Sequence, residues 1–275
     1  MAYNLKENLM QGDRLSGGHR FCAGCGSPIA IRTVLRALNP EDQAVICSAT
    51  GCAEVSTFIY PYTAWKDSFI HNAFENAGAT MSGVETAYRA LKKRGKIDET
   101  YKFIAFGGDG GTYDIGFQSL SGALERGHDF TYFCYDNNAY MNTGIQRSSA
   151  TPKYAWATTS EVGKKLNGKI QKRKDLTSII AAHGVPYCAQ ASISDWKDLI
   201  TKAEAVVMSM NARYNDEFVF AGIDGLNVPF TWGEDGELLY RGVDVSAAEG
   251  TEDYEQLRKM ATERSEEHTS ELQSL

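Results

Sequence analysis

The sequence predicts an α/β domain, three layers deep (α/β/α), built around a mostly parallel sheet. Three observations carry this. Short apolar strands alternate with segments of helical periodicity, the pattern of a parallel sheet with helices on both faces. Glycines crowd the junction where the strand Lys102–Phe106 meets the next helix, at Gly107-Gly108-Asp109-Gly110-Gly111. A second strand, Phe130–Tyr135, ends in another polar turn, Asp136-Asn137-Asn138. Ligands of such folds sit at the carboxyl ends of the strands, and both turns lie at such ends.

The elements follow in order. Met1–Gly18 is polar and reads as an arm packed on a partner or on the domain surface. His19–Gly26 holds Cys22 and Cys25 as a C-x-x-C in a glycine-rich loop, which lets both sulfurs turn toward one metal centre. Ser27–Leu38 reads as a helix, with Pro28 in its first turn and Ile31, Val34, Leu35 and Leu38 as the apolar face. Gln43–Ser48 is a strand, with Cys47 as a core residue and Cys52 just past its end. Small residues in Ser68–Ala90 predict a helix packed closely on a neighbour, with His71, Glu75 and Asn76 packing or capping. Lys92–Thr100 is a polar connection. Between the two central strands, Phe117, Leu120 and Leu124 keep helical spacing and Gly127 stops the helix.

After Thr151-Pro152 the periodicity is weak up to Leu176. Lys164–Lys174 is strongly basic and reads as a solvated loop or helix face, the alternative being a docking surface for an acidic partner. Leu176–Ala182 is helical, Pro186–Ser192 is a strand with Cys188 in the core, and Asp195–Met208 is another helix.

The chain has 275 residues and a formal net charge of −7. That length suits one large domain or two small ones. The charge argues against nucleic acid or an anionic membrane as the main partner. No run approaches the roughly 20 apolar residues of a membrane-spanning helix. The N-terminus lacks a signal pattern, so the six cysteines are expected to be thiols or metal ligands in a reducing cytoplasm.

The central turns carry the chemistry. Glycines at a strand–helix junction let the backbone approach a phosphate, and free N–H groups at a helix start favour an anion. Asp109 and Asn137 offer hard oxygen ligands at adjacent strand ends. Mg2+ prefers one or two carboxylates, a few neutral oxygens and the ligand's own phosphates.

A Gly-Asp-Gly and an Asp-Asn-Asn separated by one helix and one strand resemble the thiamine diphosphate motif. The fuller string, Tyr113–Phe117, Asp136–Gln146 and Ser148–Pro152, followed by Arg173–Tyr187, is similar to the beta subunits of the 2-oxoacid:ferredoxin oxidoreductase family, pyruvate:ferredoxin oxidoreductase in particular. The resemblance covers roughly Cys22–Met208. It implies a thiamine diphosphate-binding fold of the diphosphate-binding type. It implies Mg2+ held by the Asp109 and Asn137 side chains and the Ala139 carbonyl, with Gly108 and Gly110 facing the diphosphate. It puts Asn142 near the reacting carbons as a catalytic residue. It makes Cys22, Cys25 and Cys52 ligands of a 4Fe-4S cluster. A 2-oxoacid, coenzyme A and ferredoxin would be its reaction partners, and the basic segment could meet ferredoxin or coenzyme A phosphates.

The resemblance also sets expectations about what is missing. The aminopyrimidine-binding domain would come from an alpha subunit, accompanied by gamma and delta subunits, and the isolated chain would be inactive. The fourth cluster cysteine has no counterpart in Phe218–Trp232. Asp224 could replace it, or the centre could be 3Fe-4S. Residues 1–208 therefore read as the cofactor-binding domain with its cysteine loop. The resemblance is lost over 209–263. The end, 264–275, resembles a translated sequencing adaptor, foreign to the fold. Four readings compete with a pyruvate enzyme: the same chemistry on 2-oxoglutarate or a branched or aryl 2-oxoacid, a non-redox thiamine decarboxylase, which would not need the cysteine set, a zinc-binding or scaffolding protein without redox activity, and a chain with no stable fold.

Overall fold

The computed structural model describes residues 10–59, 61–214, 230–232, 238–240 and 243–244. The chain divides into two compact units, one spanning residues 2–216 and the other residues 217–275. Asp224 and the 264–275 tail lie outside the described residues, as does most of 209–263.

The first unit is built on a four-stranded parallel sheet in the order β4-β1-β5-β6. The strands are β1 (Gln43–Ser48), β4 (Ser68–His71), β5 (Tyr101–Gly108) and β6 (Thr131–Tyr135). A two-stranded ribbon, β2 (Phe58–Ile59) with β3 (Tyr62–Thr63), sits outside the sheet order.

Side-chain alternation sorts the core into two faces. Ala44 and Ile46 of β1, Ile104 and Phe106 of β5 and Tyr135 of β6 join Ile31, Val34 and Leu35 of helix α1 (Ser27–Arg36). Ala203 of helix α6 (Trp196–Tyr214) completes that cluster. The intervening residues Cys47, Phe103 and Ala105 point to the other face, against Ala77, Met81 and Tyr88 of helix α3 (Ala77–Lys93). Strands buried on both faces with helices above and below make the expected three-layer α/β/α domain. Cys47 is a core residue, fully buried. The Phe106 ring packs between Trp65, at a tilt, and Phe133, edge-on. Phe106→Ala is expected to cost about 3–5 kcal/mol of unfolding free energy, read from urea denaturation.

The close helix contact predicted from small residues is present. Gly78 of α3 lies against the backbone of helix α4 (Phe117–Glu125), where a Cβ would stand 3.0 Å from the Leu120 Cα. Ser119 Oγ donates to the Glu75 carbonyl at 2.5 Å.

Several expectations need correction. Ser68–His71 is a strand, and the helix begins only at Ala77. β4 is four residues long and, among the described residues, pairs only with β1, so its register leaves little periodicity to read. Asn76 occupies the N-cap position but makes no side-chain capping bond. Pro186–Ser192 is not a strand. Pro186 lacks an N–H, and the segment is held by single bonds instead: Tyr187 Oη to the Lys202 carbonyl, and Lys202 Nζ to the Gln190 carbonyl. Cys188 is half-buried outside any strand, its thiol donating to the Thr177 carbonyl beside helix α5 (Leu176–Ala181). Gly107 and Gly108 belong to β5, and the turn after them is a π-helical segment, Gly110–Ile115. Helix α6 continues past Met208 to Tyr214.

In the second unit, Phe230–Trp232, Leu238–Tyr240 and Val243–Asp244 form an antiparallel sheet in chain order. Among the described residues, no helix is long and apolar enough to cross a membrane.

Candidate functional site

The carboxyl ends of β5 and β6 are adjacent, with Gly108 in register with Tyr135. This brings the two polar turns together. Gly108, Asp109, Gly110, Asn137, Ala139, Asn142 and Cys52 all line one narrow pocket of about 20 Å³, with Gly51, Phe74 and Tyr140. That volume is room for a water or two, or for a small cation.

Asp109 opens the π-helical segment and is buried. Ser148 Oγ donates to its Oδ2 at 2.5 Å. Burial pushes the Asp109 carboxyl up to about 6, against the pull of the Ser148 bond, and the charge of Asp136 adds to the rise. A cation beside it would reverse the cause of that rise.

Asn138 sits between Asn137 and Ala139 in the left-handed region, at φ 69°. Asparagine tolerates that conformation better than other residues with a Cβ. Asp136 Oδ1 accepts from the Asn138 N–H at 3.0 Å, and Thr151 Oγ1 donates to its carbonyl at 2.6 Å. The reversal turns the Asn137 side chain and the Ala139 carbonyl toward one point.

The head of the Asn137 amide lies 2.8 Å from Asp109 Oδ1 and 2.9 Å from the Ala139 carbonyl oxygen. Turned one way, its nitrogen donates to both. Turned the other way, its oxygen faces two acceptors and its nitrogen lies 3.7 Å from Cys52 Sγ. The second arrangement suits a bound cation. Neighbouring ligands of an octahedral Mg2+ with 2.0–2.1 Å bonds stand about 2.9 Å apart. The donor set of one carboxylate, one amide oxygen and one backbone carbonyl is the hard-oxygen set that Mg2+ prefers.

Gly110 is packed tightly. A Cβ there would fall 2.4 Å from the Tyr140 ring, whose hydroxyl donates to the Gly110 carbonyl at 2.9 Å. Thr112 Oγ1 donates to the Gly108 carbonyl at 2.7 Å.

The cysteines sit on two loops. Cys25 N–H donates to the Cys22 carbonyl at 3.0 Å, closing the C-x-x-C turn, and Cys22 is exposed. Cys52 begins the short helix α2 (Cys52–Thr57). Burial pushes its thiol up, the Asn137 amide and the Asn142 backbone N–H pull it down, and the charges of Cys25 and Cys22 add to the rise. Cys52 lines the Asp109–Asn137 pocket. Among the described residues, no three His, Cys, Asp or Glu side chains are grouped to hold a single metal ion.

His71 faces the Ser48 carbonyl at 3.1 Å and Glu54 Oε1 at 3.7 Å. It lies outside the pocket, as do Glu75 and Asn76. Ser148 and Tyr140 are site residues that motif reading passed over, although both fall within the strings that carried the resemblance.

A parallel α/β domain with oxygen donors gathered beside a glycine turn, at adjacent strand ends, has the form of a diphosphate-binding domain. The family described as thiamine pyrophosphate enzyme, C-terminal TPP binding domain, matches residues 49–212, and the chain belongs to it. Pyruvate synthase subunit PorB of Thermotoga maritima is 56% identical over 211 residues, covering 74% of this chain and 65% of that protein. The same-named subunit of Methanocaldococcus jannaschii is 56% identical over 189 residues, covering 68% and 63%. Ketoisovalerate oxidoreductase subunit VorB of Pyrococcus abyssi is 43% identical over 185 residues, covering 67% and 59%. The chain thus spans just under two thirds of the length of the curated relatives it matches most fully. In structure it is similar to 2-oxoglutarate:ferredoxin oxidoreductase from Magnetococcus marinus, with a TM-score of 0.56, 21% identity, and coverage of 70% of this chain and 61% of that one.

Proposed function

We propose that this chain is the diphosphate-binding beta subunit of a 2-oxoacid:ferredoxin oxidoreductase that converts pyruvate and coenzyme A to acetyl-CoA and carbon dioxide. The observation that carries the reading is the convergence of Asp109 Oδ1, the Asn137 amide and the Ala139 carbonyl in one pocket beside the glycine turn. The similarity to subunits named for pyruvate synthase supports pyruvate as the substrate.

In this reading Asp109, Asn137 and Ala139 would hold Mg2+ against the diphosphate of thiamine diphosphate. Gly108 and Gly110 let the backbone come close to the phosphates. Ser148 fixes the Asp109 carboxylate, and Asn142 faces the reacting end. Cys22, Cys25 and Cys52 ligate an iron–sulfur cluster, with a fourth ligand outside this set. When bound, thiamine diphosphate supplies an electron sink for loss of carbon dioxide from a 2-oxoacid, and the cluster supplies acceptance of electrons one at a time. Burial raises the Cys52 thiol overall, and the N–H groups directed at it offset part of that rise. Its contact with Asn137 puts the cysteine loop beside the cation site.

The aminopyrimidine half of the cofactor site comes from an alpha subunit, with gamma and delta subunits completing a cytoplasmic complex that reduces ferredoxin. The similarity to a ketoisovalerate oxidoreductase subunit favours a branched-chain 2-oxoacid as the second reading. The test is reduction of ferredoxin by the assembled complex. Pyruvate with coenzyme A is expected to support turnover at least tenfold better, by kcat/KM, than 2-oxoisovalerate or 2-oxoglutarate. Preference for either other acid would replace pyruvate, and no coenzyme A-dependent reduction with any of the three would overturn the activity.

A further inference from the structure

The basic segment is exposed over most of its length, as expected of a solvated face, but Lys169, Arg173 and Lys174 also reach inward. Lys169 is buried, its ammonium donating to the Ser149 carbonyl at 2.9 Å and the Thr151 carbonyl at 2.5 Å. Lys174 Nζ reaches the Tyr113 carbonyl at 2.5 Å, in the π-helical segment, and its backbone N–H donates to the Ser149 carbonyl at 3.0 Å. Arg173 makes the most telling contacts. One nitrogen, Nη2, donates to Asp136 Oδ2 at 2.5 Å and to the Tyr113 hydroxyl at 3.2 Å. The other, Nη1, donates to Asn138 Oδ1 and to the Ala150 carbonyl, both at 2.8 Å.

Arg173 therefore grips the residue before and the residue after Asn137. It also ties both to the Ser148–Thr151 loop, whose Ser148 holds Asp109. A second effect is electrostatic. Asp136 directly precedes Asn137, so it is a carboxylate that could compete for a cation. Arg173, the Tyr113 hydroxyl and the Asn138 N–H occupy its oxygens.

We propose that Arg173 is the positioning residue of the metal site. It fixes the left-handed turn at Asn138 and keeps Asp136 out of the coordination sphere, and so selects a small octahedral cation over a larger one. The proposal rests on the reading of Asp109, Asn137 and Ala139 as the cation site.

The physical basis is the difference between Mg2+ and Ca2+. Mg2+ requires near-ideal octahedral geometry, whereas Ca2+ takes six to eight oxygens in flexible arrangements and accepts an extra carboxylate. A loosened turn with a freed Asp136 should therefore harm Mg2+ binding more than Ca2+ binding. Lysine keeps the charge but cannot supply the two-sided planar fork.

The test measures thiamine diphosphate affinity of the assembled complex by calorimetry, with either Mg2+ or Ca2+, for wild type, Arg173→Gln, Arg173→Lys and Asp109→Ala. For Arg173→Gln we expect a loss of about 10–100-fold with Mg2+, the usual scale for residues that orient metal ligands. With Ca2+ the loss should be roughly threefold or less, so that the ratio of the two affinities falls. Arg173→Lys should show an intermediate ratio. Equal losses with both ions, as partial unfolding would give, would overturn the proposal, and so would no loss. The Asp109→Ala control separates the two levels. If it abolishes binding while Arg173→Gln leaves the ratio unchanged, only the role of Arg173 fails. If it also leaves binding intact, the site reading fails with it.

Discussion

Asp109→Ala in the assembled complex is expected to weaken Mg2+-dependent thiamine diphosphate binding on the order of a thousandfold, about 4 kcal/mol. The size follows from what the side chain does. It is the carboxylate among the three oxygens that converge on the site, and the only one of them with a formal charge. Without it, a divalent cation would be held by two neutral oxygens and would have to offset the diphosphate charge alone. The fold should survive. Asp109 is buried with a carboxyl whose ionisation is opposed by that burial, so alanine removes an unfavourable buried charge along with the Ser148 bond. A melting temperature near wild type with affinity lost is the expected pair of results. Unchanged affinity would remove Asp109 from the site.

The second large effect concerns the cysteines. Cys22→Ser is expected to remove most of the iron and acid-labile sulfide from the complex and to abolish ferredoxin reduction. Pyruvate decarboxylation should be affected less. A serine hydroxyl stays protonated where a thiolate would ligate, so one lost ligand in a set of three identified thiols should be decisive. Cys22 is exposed and packs in no core cluster, so the substitution carries little cost to folding. Iron and sulfide analysis reads the result directly. It also separates an iron–sulfur centre from a zinc site, which would contain zinc and no sulfide. Iron content equal to wild type would show that Cys22 ligates no cluster.

Much of this architecture was legible in the chain because the relevant physics is local. β1 and β5 announce themselves by continuous apolar runs, since both faces of each are buried. The two polar turns are readable because glycine at a strand end and a pair of amide and acid side chains after another have few purely structural uses together. What escaped depends on distant partners. Arg173 lies 37 positions from Asp136 and 60 from Tyr113, so the inward contacts of an otherwise exposed basic run could not be read. β4 escaped because four residues beside one neighbour leave no pattern to count. Pro186–Ser192 failed in the opposite sense. Its composition suits a strand, but strand formation requires a neighbour to pair with, and its polar groups are met by Lys202 and Thr177 instead.

The left-handed turn at Asn138 lies between these cases. Asp-Asn-Asn is a recognisable turn composition, yet only the φ of 69° explains why the Asn137 amide and the Ala139 carbonyl, two residues apart, can meet at one point. The same turn explains why Asp136, the charged residue of the motif, is not expected to be a ligand: its oxygens are already engaged by Tyr113, Asn138 and Arg173.

The most direct test of the central claim is calorimetric titration of thiamine diphosphate into the wild-type complex, first with Mg2+ and then with the metal chelated. The account predicts one saturable site per chain in Mg2+ that disappears on chelation and returns when Mg2+ is restored. Binding of equal strength with and without the metal, or no binding by a folded complex in Mg2+, would contradict it.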